Sequence, residues 1–455
     1  MDRTRGLSAA AAHAQRFLAT LDERPVAAQA DAGRVRELLG GPLSEAGEDP
    51  EAVIEALARG ADDGIVASAG PRHFGFVTGG SLPAALAADW LVSAWDQNAA
   101  FYALSPAAAA IEEIVAEWTL DLLGLPPSAS VGFVTGAQGA NTTALAAARH
   151  AVLARAGWDV ERDGLTGAPQ VNVVCGEQAH ATVFTALRLL GLGAGRAALV
   201  EADDQGRMVA EALEQALARR DGPAIVCAQA GNVITGSFDP FEPIADACAA
   251  HGAWLHVDGA FGLWVAAAPS KRSLVRGVER ADSWAVDAHK WLNVPYDSAM
   301  AIVADGEAHR AAMGLAASYL VTGPGRRDST NYVPESSRRA RAIPVWAALR
   351  SLGRGGVAEI VERNCAQARR MADRLAEIPG AEILNDVVLN QVLVRFPGGD
   401  EGNRAAVEAI QREGTCWLGG TEWNGEAVVR LAFSNWATTD ADVDRSAAAI
   451  AAAVS

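Results

Sequence analysis

Short apolar runs of β type alternate with alanine- and leucine-rich helical segments between about residues 130 and 305. Strands that alternate with helices pair in parallel, and strands that are buried on both faces are continuously apolar. The pattern therefore predicts an α/β domain with a mostly parallel, seven-stranded sheet. The seven runs are VGFVT, VNVVC, AALVEAD, PAIVCAQA, AWLHVD, SWAVD and SAMAIVA.

Different patterns flank this region. Residues 1–65 carry alanine-rich, charge-punctuated helical segments, and we expect them to form an N-terminal helical segment. The large α/β domain is predicted to span 66–340, and it includes a polar, breaker-rich loop at 318–338. Residues 341–455 read as a helix pair followed by alternating strands, which predicts a small α+β domain at the C-terminus.

Composition excludes several functions. A net charge of -17 and a pI near 4.9 argue against a nucleic-acid-binding surface, because phosphate contacts need a clustered basic field. No uncharged apolar run is long enough to cross a bilayer, so no membrane partner is expected. The five cysteines are scattered without a CxxC pair, which predicts reduced thiols and no metal site. The N-terminus lacks a secretory apolar region, so we expect a cytoplasmic protein.

Lysine is scarce in this chain. Among 38 basic residues there are two lysines, Lys271 in the polar turn APSKRS and Lys290 in the apolar stretch VDAHKWLN. Lys290 follows a strand candidate, and ligands bind at strand ends in α/β sheets. Apolar surroundings favour an uncharged, nucleophilic amine, whereas arginine stays protonated and cannot form a Schiff base. A surface role along an apolar stem suits Lys271 better, so Lys290 is the predicted functional lysine.

Two further side chains stand at the ends of predicted strands. Asp258 ends AWLHVD, and a buried carboxylate needs a partner, which could be a pyridinium nitrogen, an arginine or a helix start. His180 lies between the strand VNVVC and a helix, where an imidazole could cover a cofactor ring, act as an acid or base, or cap the helix.

A glycine-rich turn, Thr135–Asn141 (TGAQGAN), precedes a long helix. Small residues and free N–H groups at a helix start suit a phosphate, although ordinary strand–helix connections look similar. A lysine, a carboxylate, an imidazole and a phosphate cradle are the parts that pyridoxal 5'-phosphate (PLP) requires of a protein.

Five ordered segments resemble the group II PLP-dependent amino-acid decarboxylases, the family of aromatic-L-amino-acid, tyrosine and glutamate decarboxylases. The resemblance runs from about Pro71 to Asn435. HVDGAFG is similar to the family's HVDAA segment, and DSWAVDAHKWLNVPYDSAM to its N-x-HK-W lysine segment. The other three are EQAHATVFTALRLLGLG, AQAGNVITGSFDP and SSRRARAIPVWAALRSLGRGG. The resemblance implies the PLP-dependent transferase fold type I and a homodimer with active sites at the interface, in which residues 1–65 wrap the partner.

The resemblance also implies roles for individual residues. Lys290 would carry PLP as a Schiff base, Asp258 would pair with the ring nitrogen, and His180 would stack on the ring. Tyr319 falls where the family's mobile loop carries a tyrosine that protonates the substrate Cα. Further expected cofactor contacts are Ala260 under the ring, Ala137, Gln138 and His289 at the phosphate, and Asn232; the substrate pocket would include Phe76, Thr78 and Gly79.

The expected reaction is decarboxylation of an L-amino acid to its amine and carbon dioxide. Two departures from the family stand out: TGAQGAN replaces a segment such as GGSEAN, and glycines occupy positions 79 and 80. The glycine pair suggests a reshaped pocket that admits an aromatic or otherwise bulky side chain. An aldehyde synthase, an aminotransferase, another lyase and a non-catalytic binding protein remain alternatives on the same scaffold; Arg430 does not separate an aminotransferase from a decarboxylase.

Overall fold

The computed structural model describes residues 2–315 and 326–454. The larger sheet contains the strands Ser130–Val134 (β1), Asn172–Gly176 (β2), Ala198–Val200 (β3), Ala224–Gln229 (β4), Trp254–Asp258 (β5), Ser283–Asp287 (β6) and Ala299–Val303 (β7). Their order across the sheet is β1-β7-β6-β5-β4-β2-β3. The pairs from β3 to β6 are parallel, whereas β7 runs antiparallel to both β1 and β6. The predicted seven-stranded, mostly parallel sheet is confirmed.

Helices cover the sheet and frame its ends. They are Leu7–Thr20 (α1), Ala32–Leu39 (α2), Pro50–Ala61 (α3), Pro83–Trp95 (α4), Pro106–Leu123 (α5), Ala137–Arg155 (α6), Val160–Asp163 (α7), Ala181–Leu189 (α8), Ala210–Ala218 (α9), Phe241–His251 (α10), Gly306–Met313 (α11), Ala342–Ala376 (α12), Gly399–Glu413 (α13) and Asp440–Val454 (α14). None of them, within the described ranges, combines the length and hydropathy needed to cross a bilayer. A cytoplasmic location stays a prediction.

Helix α6 is the element that lies closest to the sheet at its functional edge. It packs against β5, β6 and β7 on one side and against α8 and α11 on the other. Its buried positions are mostly alanine, for example Ala140, Ala144, Ala147 and Ala148. Small side chains let a helix approach a sheet closely, so the first turns of α6 reach the strand ends.

The C-terminal part forms a second sheet from Glu382–Ile383 (β8), Gln391–Arg395 (β9), Gly419–Trp423 (β10) and Glu426–Ala432 (β11). Its order is β10-β11-β9-β8 and each neighbouring pair is antiparallel. Apolar side chains of α12, α13 and α14 pack on it to form a core of its own. The predicted helix pair is confirmed: the span α12 consists of two helices that meet at Gly353, where the backbone is not helical (φ +60°, ψ 179°).

The proposed domain boundaries at 65 and 340 stay a prediction. Helices α1 to α3 lie within the predicted N-terminal segment, and backbone bonds tie that segment to the rest of the chain. Val26 N–H donates to the carbonyl of Gly414 at 2.9 Å, and Ala67 N–H donates to the carbonyl of Val26 at 2.9 Å. The predicted loop at 318–338 lies partly outside the described residues; its described part contains a short 3-10 turn at Ser329–Tyr332.

Three neighbouring parallel strands end on polar side chains at the same edge of the large sheet. β4 ends on Gln229, β5 on Asp258 and β6 on Asp287. Gln229 pairs in register with Asp258, and Asp258 with Ala285, two residues before the end of β6. Ligands in α/β proteins bind at the carboxyl edge of the sheet, so a ligand site is expected beside these three side chains.

Candidate active site

A cleft opens at this carboxyl edge and collects most of the predicted cofactor residues. It is lined by Ala137, His180, Thr182, Gln229, Gly231, Val233, Asp258, Ala260, Phe261 and Lys290. Lysine, aspartate and histidine, which the sequence places 32 to 110 positions apart, therefore face one another. The walls are mainly apolar or backbone, with a few convergent polar groups, which is the usual make-up of a small-molecule site.

Lys290 is held by an aspartate of its own turn. Its Nζ lies 2.9 Å from Oδ2 of Asp287, whose side chain is 2% exposed. Oδ1 of the same carboxylate accepts a hydrogen bond from the backbone N–H of Ala137 at 2.6 Å. Asp287 thus joins the lysine to the N-terminus of α6. It stands at the first position of the N-x-HK-W pattern that this segment resembles.

Asp258 is fixed at both of its carboxylate oxygens. Oδ1 accepts from the N–H of Ala260 at 3.1 Å, and Oδ2 accepts from Nδ2 of Asn141 at 3.0 Å. A buried carboxylate with such donors stays oriented, and it points into the cleft that Lys290 also lines. Asn141 lies on α6, one turn beyond Ala137.

A buried relay continues from Asn141 into the sheet. Nε2 of His256 lies 3.0 Å from Oδ1 of Asn141, and its Nδ1 lies 2.9 Å from Oγ of Ser283, which also accepts from the indole N–H of Trp254 at 2.9 Å. Burial lowers the pKa of His256 to about 4, so the ring is neutral. The amide oxygen can only accept, so the ring proton lies on Nε2 and Ser283 donates to Nδ1. The relay therefore holds the Asn141 amide with its N–H groups toward Asp258.

His180 has a defined orientation at the start of α8. Its Nδ1 accepts from the N–H of Thr182 at 3.3 Å and lies 2.8 Å from the Thr182 hydroxyl. That hydroxyl also accepts from Nδ2 of Asn141 at 3.2 Å. Burial lowers the pKa of His180, although the nearby Asp258 opposes that shift. The ring is therefore neutral and carries its proton on Nε2. His180 both caps α8, as one of the sequence interpretations predicted, and lines the cleft.

The predicted phosphate residues lie in different places. Gln138 is the second residue of α6, and its Nε2 donates to the carbonyl of Thr182 at 3.2 Å, which links α6 to α8. His289 lies behind Lys290, with Nε2 3.7 Å from Oδ1 of Asp287 and Nδ1 2.9 Å from the carbonyl oxygen of Ser298. Burial lowers the pKa of His289.

Asn232 does not contribute its side chain to the cleft walls, although its neighbours Gly231 and Val233 do. Its Oδ1 accepts from the N–H groups of Ile234 at 2.8 Å and Thr235 at 3.2 Å, so the amide stabilises the turn after β4.

The predicted substrate-pocket segment lies against the lysine segment. Burial raises the pKa of Tyr296, an effect that the Thr78 hydroxyl opposes, and the Tyr296 ring packs 4.4 Å from that of His289. Phe76 is 67% exposed and stacks on Trp417 at 5.7 Å. A Cβ at Gly79 would lie 2.0 Å from the carbonyl oxygen of Lys290. The glycine therefore permits close backbone approach, rather than leaving space for a substrate ring as the sequence suggested.

Tyr319 lies outside the described residues. Its role in protonating the substrate stays a prediction.

The residues present fit PLP. The cleft offers an amine at Lys290, a carboxylate at Asp258 that is already oriented by two donors, the imidazole ring of His180 and the small side chain of Ala260. The N-terminus of α6 supplies N–H groups for an anion. When bound, PLP supplies a ring into which the electrons of a cleaved substrate bond can delocalise. Asp258 would face the ring nitrogen, and Lys290 the aldehyde.

Sequence reasoning did not assign roles to Asn141, Asp287, Thr182, His256 or Ser283. Asp287 could have been found, because it ends a predicted buried strand just as Asp258 does. Asn141 stands in the quoted turn TGAQGAN, but its partner lies 117 positions away, and nothing in the sequence pairs the two.

We predict that Asn141→Ala weakens PLP binding about ten-fold, because Asp258 loses one of its two donors and the link to His180 is lost. Equilibrium titration of the cofactor-free protein with PLP measures this. Thr142→Ala is the matched control, because that hydroxyl bonds to the Gln138 carbonyl at 2.8 Å on the same helix. Equal PLP affinity in the Asn141→Ala variant and the wild type would show that the relay does not position Asp258.

The fold is shared with solved PLP enzymes. Oryza sativa TDC with PLP and tryptamine superposes with a TM-score of 0.91 at 23% identity, covering 98% of this chain and 96% of that one. Mouse CSAD superposes with a TM-score of 0.89 at 24% identity, covering 98% of each chain. At such identities these likenesses show the fold alone, and they confirm fold type I.

The sequence comparisons show the family. The aromatic-L-amino-acid decarboxylase of Bacillus atrophaeus is 27% identical over 441 residues, which are 92% of this chain and 88% of that protein. The human acidic amino acid decarboxylase is 29% identical over 360 residues, which are 77% and 68% of the two chains. A profile of the pyridoxal-dependent decarboxylase conserved domain matches residues 33–396. With that match over most of its length, the chain belongs to the pyridoxal-dependent decarboxylase family and is a PLP-dependent amino-acid decarboxylase.

Proposed function

We propose that the substrate is an L-amino acid with an aromatic or otherwise bulky, uncharged side chain. The relatives named above act, by their names, on aromatic and on acidic amino acids, so the family alone does not choose between these classes. An acidic substrate needs a free cation for its side chain, and Arg72, Arg326 and Arg327 are candidates for that cation. The observation that carries the proposal is that all three are engaged in contacts within the protein.

Arg72 is a structural residue. It is 2% exposed, and its Nε donates to the carbonyl of Thr415 at 2.7 Å. Its Nη1 also donates to the carbonyl of Asp22 and lies 3.4 Å from Oδ1 of Asp442. The guanidinium therefore joins the N-terminal segment to the C-terminal part and has no face left for a substrate carboxylate.

The pair Arg326 and Arg327 is also engaged. The guanidinium of Arg326 lies 4.6 Å from the ring centre of Tyr102. Arg327 stacks over Tyr332 at 4.1 Å, bonds to the carbonyl of Val131, and lies 3.7 Å from Oε2 of the buried Glu112. Neither residue lines the cleft at Lys290.

Arg430 is the cation best placed to meet a substrate carboxylate. Burial lowers its pKa to about 10, which leaves it charged at neutral pH. It makes no ion pair within residues 2–315 and 326–454, and its Nη1 donates to the carbonyl of the cleft residue Val233 at 2.7 Å. One guanidinium can orient the α-carboxylate that leaves, but a substrate with an acidic side chain would need a second cation to avoid a buried, unpaired charge.

The cleft residues then have separable tasks. The Asp258 carboxylate would face the ring nitrogen of bound PLP, and the imidazole of His180, whose pKa is lowered by burial, would cover the ring. Phe261 and Val233 make the walls apolar, and apolar surroundings favour loss of the carboxylate charge as carbon dioxide. The same walls suit a bulky apolar side chain.

A panel of L-amino acids tests the substrate proposal, with mass detection of amine and carbon dioxide. We expect kcat/KM for tryptophan, tyrosine or phenylalanine to exceed that for glutamate, aspartate or cysteine sulfinate by about 100-fold, because an unpaired acidic side chain is costly to bury. Lys290→Ala is the control for background reaction. Highest turnover with an acidic substrate would contradict the proposal, and 2-oxo acid without carbon dioxide would indicate an aminotransferase.

We propose that Tyr319 protonates the substrate Cα after carbon dioxide leaves, as the resemblance implies. Tyr319→Phe should slow amine formation by about 100-fold and raise the share of aldehyde product, because the hydroxyl proton is lost. Product analysis by mass spectrometry measures both. Tyr332→Phe is the matched control, because that ring packs against His309 and Arg327. Amine formation at the wild-type rate and yield in Tyr319→Phe would exclude this role.

We propose that the active enzyme is a homodimer in which the N-terminal helices cover the partner. Support comes from large apolar side chains that α1, α2 and α3 leave exposed: Leu7, Leu18, Leu38, Leu39, Val53 and Leu57 are 40–59% exposed. Val53 and Leu57 are one helical turn apart on α3 and form one face. Contiguous apolar surface of this kind marks an interaction site.

Light scattering of the holoenzyme should give the mass of two chains. Val53→Asp with Leu57→Asp should shift the population toward one chain, because burying two carboxylates in an apolar interface is unfavourable. Leu189→Asp, at a 65% exposed leucine of α8, is the matched control and should leave the dimer intact. An active enzyme with the mass of one chain would refute the dimer.

A further inference from the structure

A carboxylate of the chain itself occupies the N-terminus of α6. The N-cap residue, Gly136, has no side chain that could accept from the first amides of the helix. Oδ1 of Asp287, from the end of β6, fills that role with a bond of 2.6 Å to the N–H of Ala137. The helix start is therefore capped by an acid from a different element, 150 positions along the chain.

The second oxygen of Asp287 neutralises the functional lysine. Oδ2 lies 2.9 Å from Nζ of Lys290, and the carboxylate is 2% exposed. Nε2 of His289 lies 3.7 Å from Oδ1. The negative charge of Asp287 also acts to raise the pKa of His180 and of Tyr296. The partners of this carboxylate are thus the N-terminus of α6, the amine of Lys290 and the neighbouring imidazole of His289.

Those partners are the ones that the cofactor needs. A phosphate ester binds where backbone amides and a helix dipole converge, and the cofactor aldehyde must reach Nζ of Lys290. The amides of Gln138 and Gly139, the next two of α6, have no acceptor in the described part of the chain. The phosphate cradle therefore exists, but its first amide is taken by an internal anion.

We propose that Asp287 acts as an internal substitute for the cofactor phosphate, and that PLP binding requires the phosphate to displace its carboxylate from the Ala137 amide and from Lys290. The inference rests on the family's cofactor and not on the proposed substrate.

The displaced carboxylate lies beside the entering phosphate at the same helix start. Two anions that share one low-dielectric site repel each other more strongly than they would in water. The phosphate group should therefore contribute little to cofactor affinity in this enzyme, and PLP should exchange readily with the free pool. Lys290, released from its ion pair, becomes available to the aldehyde at the same moment.

Comparison of PLP with pyridoxal, which lacks the phosphate, isolates this effect. Both are titrated into the cofactor-free, full-length protein, and binding is followed by quenching of tryptophan fluorescence. In the wild type we expect PLP to bind less than about ten-fold more tightly than pyridoxal, because the anion site is already filled. In Asp287→Asn, which keeps the shape and removes the charge, that ratio should rise by at least about ten-fold.

Two further variants make the test specific. Asp287→Glu keeps the charge and should keep the low ratio of the wild type. Asp297→Asn removes a nearby acid that pairs with Arg341 at 2.9 Å and is 41% exposed, so it controls for a general change of charge and should also keep the low ratio. Circular dichroism confirms that each variant folds.

An unchanged ratio in folded Asp287→Asn, or tighter PLP binding in the wild type than in that variant, would overturn the proposal. If that variant fails to fold, the wild type alone decides: a PLP affinity more than about 100-fold above that of pyridoxal would show that the phosphate meets no competitor. Absence of any PLP binding would instead contradict the cofactor itself, so the two failures are distinguishable.

Discussion

Two buried carboxylates stand side by side at one edge of the large sheet, and the need to supply donors to both determines how the other residues of the site are arranged. Asp258 and Asp287 end adjacent parallel strands and are 6% and 1% exposed. Buried carboxylates are costly unless donors surround them. Helix α6 supplies donors to both, through the Ala137 amide and, one turn later, the side chain of Asn141. The alanine-rich face of α6 is what allows this approach.

Much of the fold could be predicted from the sequence because it follows from local patterns. Alternating apolar runs and helical segments define the seven strands, and the scarcity of lysine isolates Lys290. Asp258 and His180 stand at predicted strand ends, where ligand sites form. Asp287 meets the same criterion, because it also ends a predicted buried strand, and the sequence therefore contains the signal for it. Asn141 could not be assigned, because its role depends on the distance between a helix and a strand far apart in sequence.

Residue type alone does not show which groups a glycine and three arginines contact. Gly79 suggested an enlarged pocket, but its missing Cβ makes room for the Lys290 carbonyl. Arg72, Arg326 and Arg327 carry the charge that an acidic substrate would need, yet each contacts carbonyls, acids or aromatic rings of the chain. A sequence gives the charge of a side chain but not its partners, and a buried charge always has partners. Substrate preference therefore follows from the cations at the cleft that have no acidic partner within the described part of the chain.

The arrangement at α6 also links the charge states of the site. Nζ of Lys290 and the first amide of α6 both contact the Asp287 carboxylate, so the lysine is engaged in an ion pair. A ligand that brings its own phosphate to the helix competes for that carboxylate's partners and releases the lysine for Schiff-base formation. The step that seats the phosphate is thus the step that frees the nucleophile, and the cost of displacing the carboxylate offsets what the phosphate gains at the helix start.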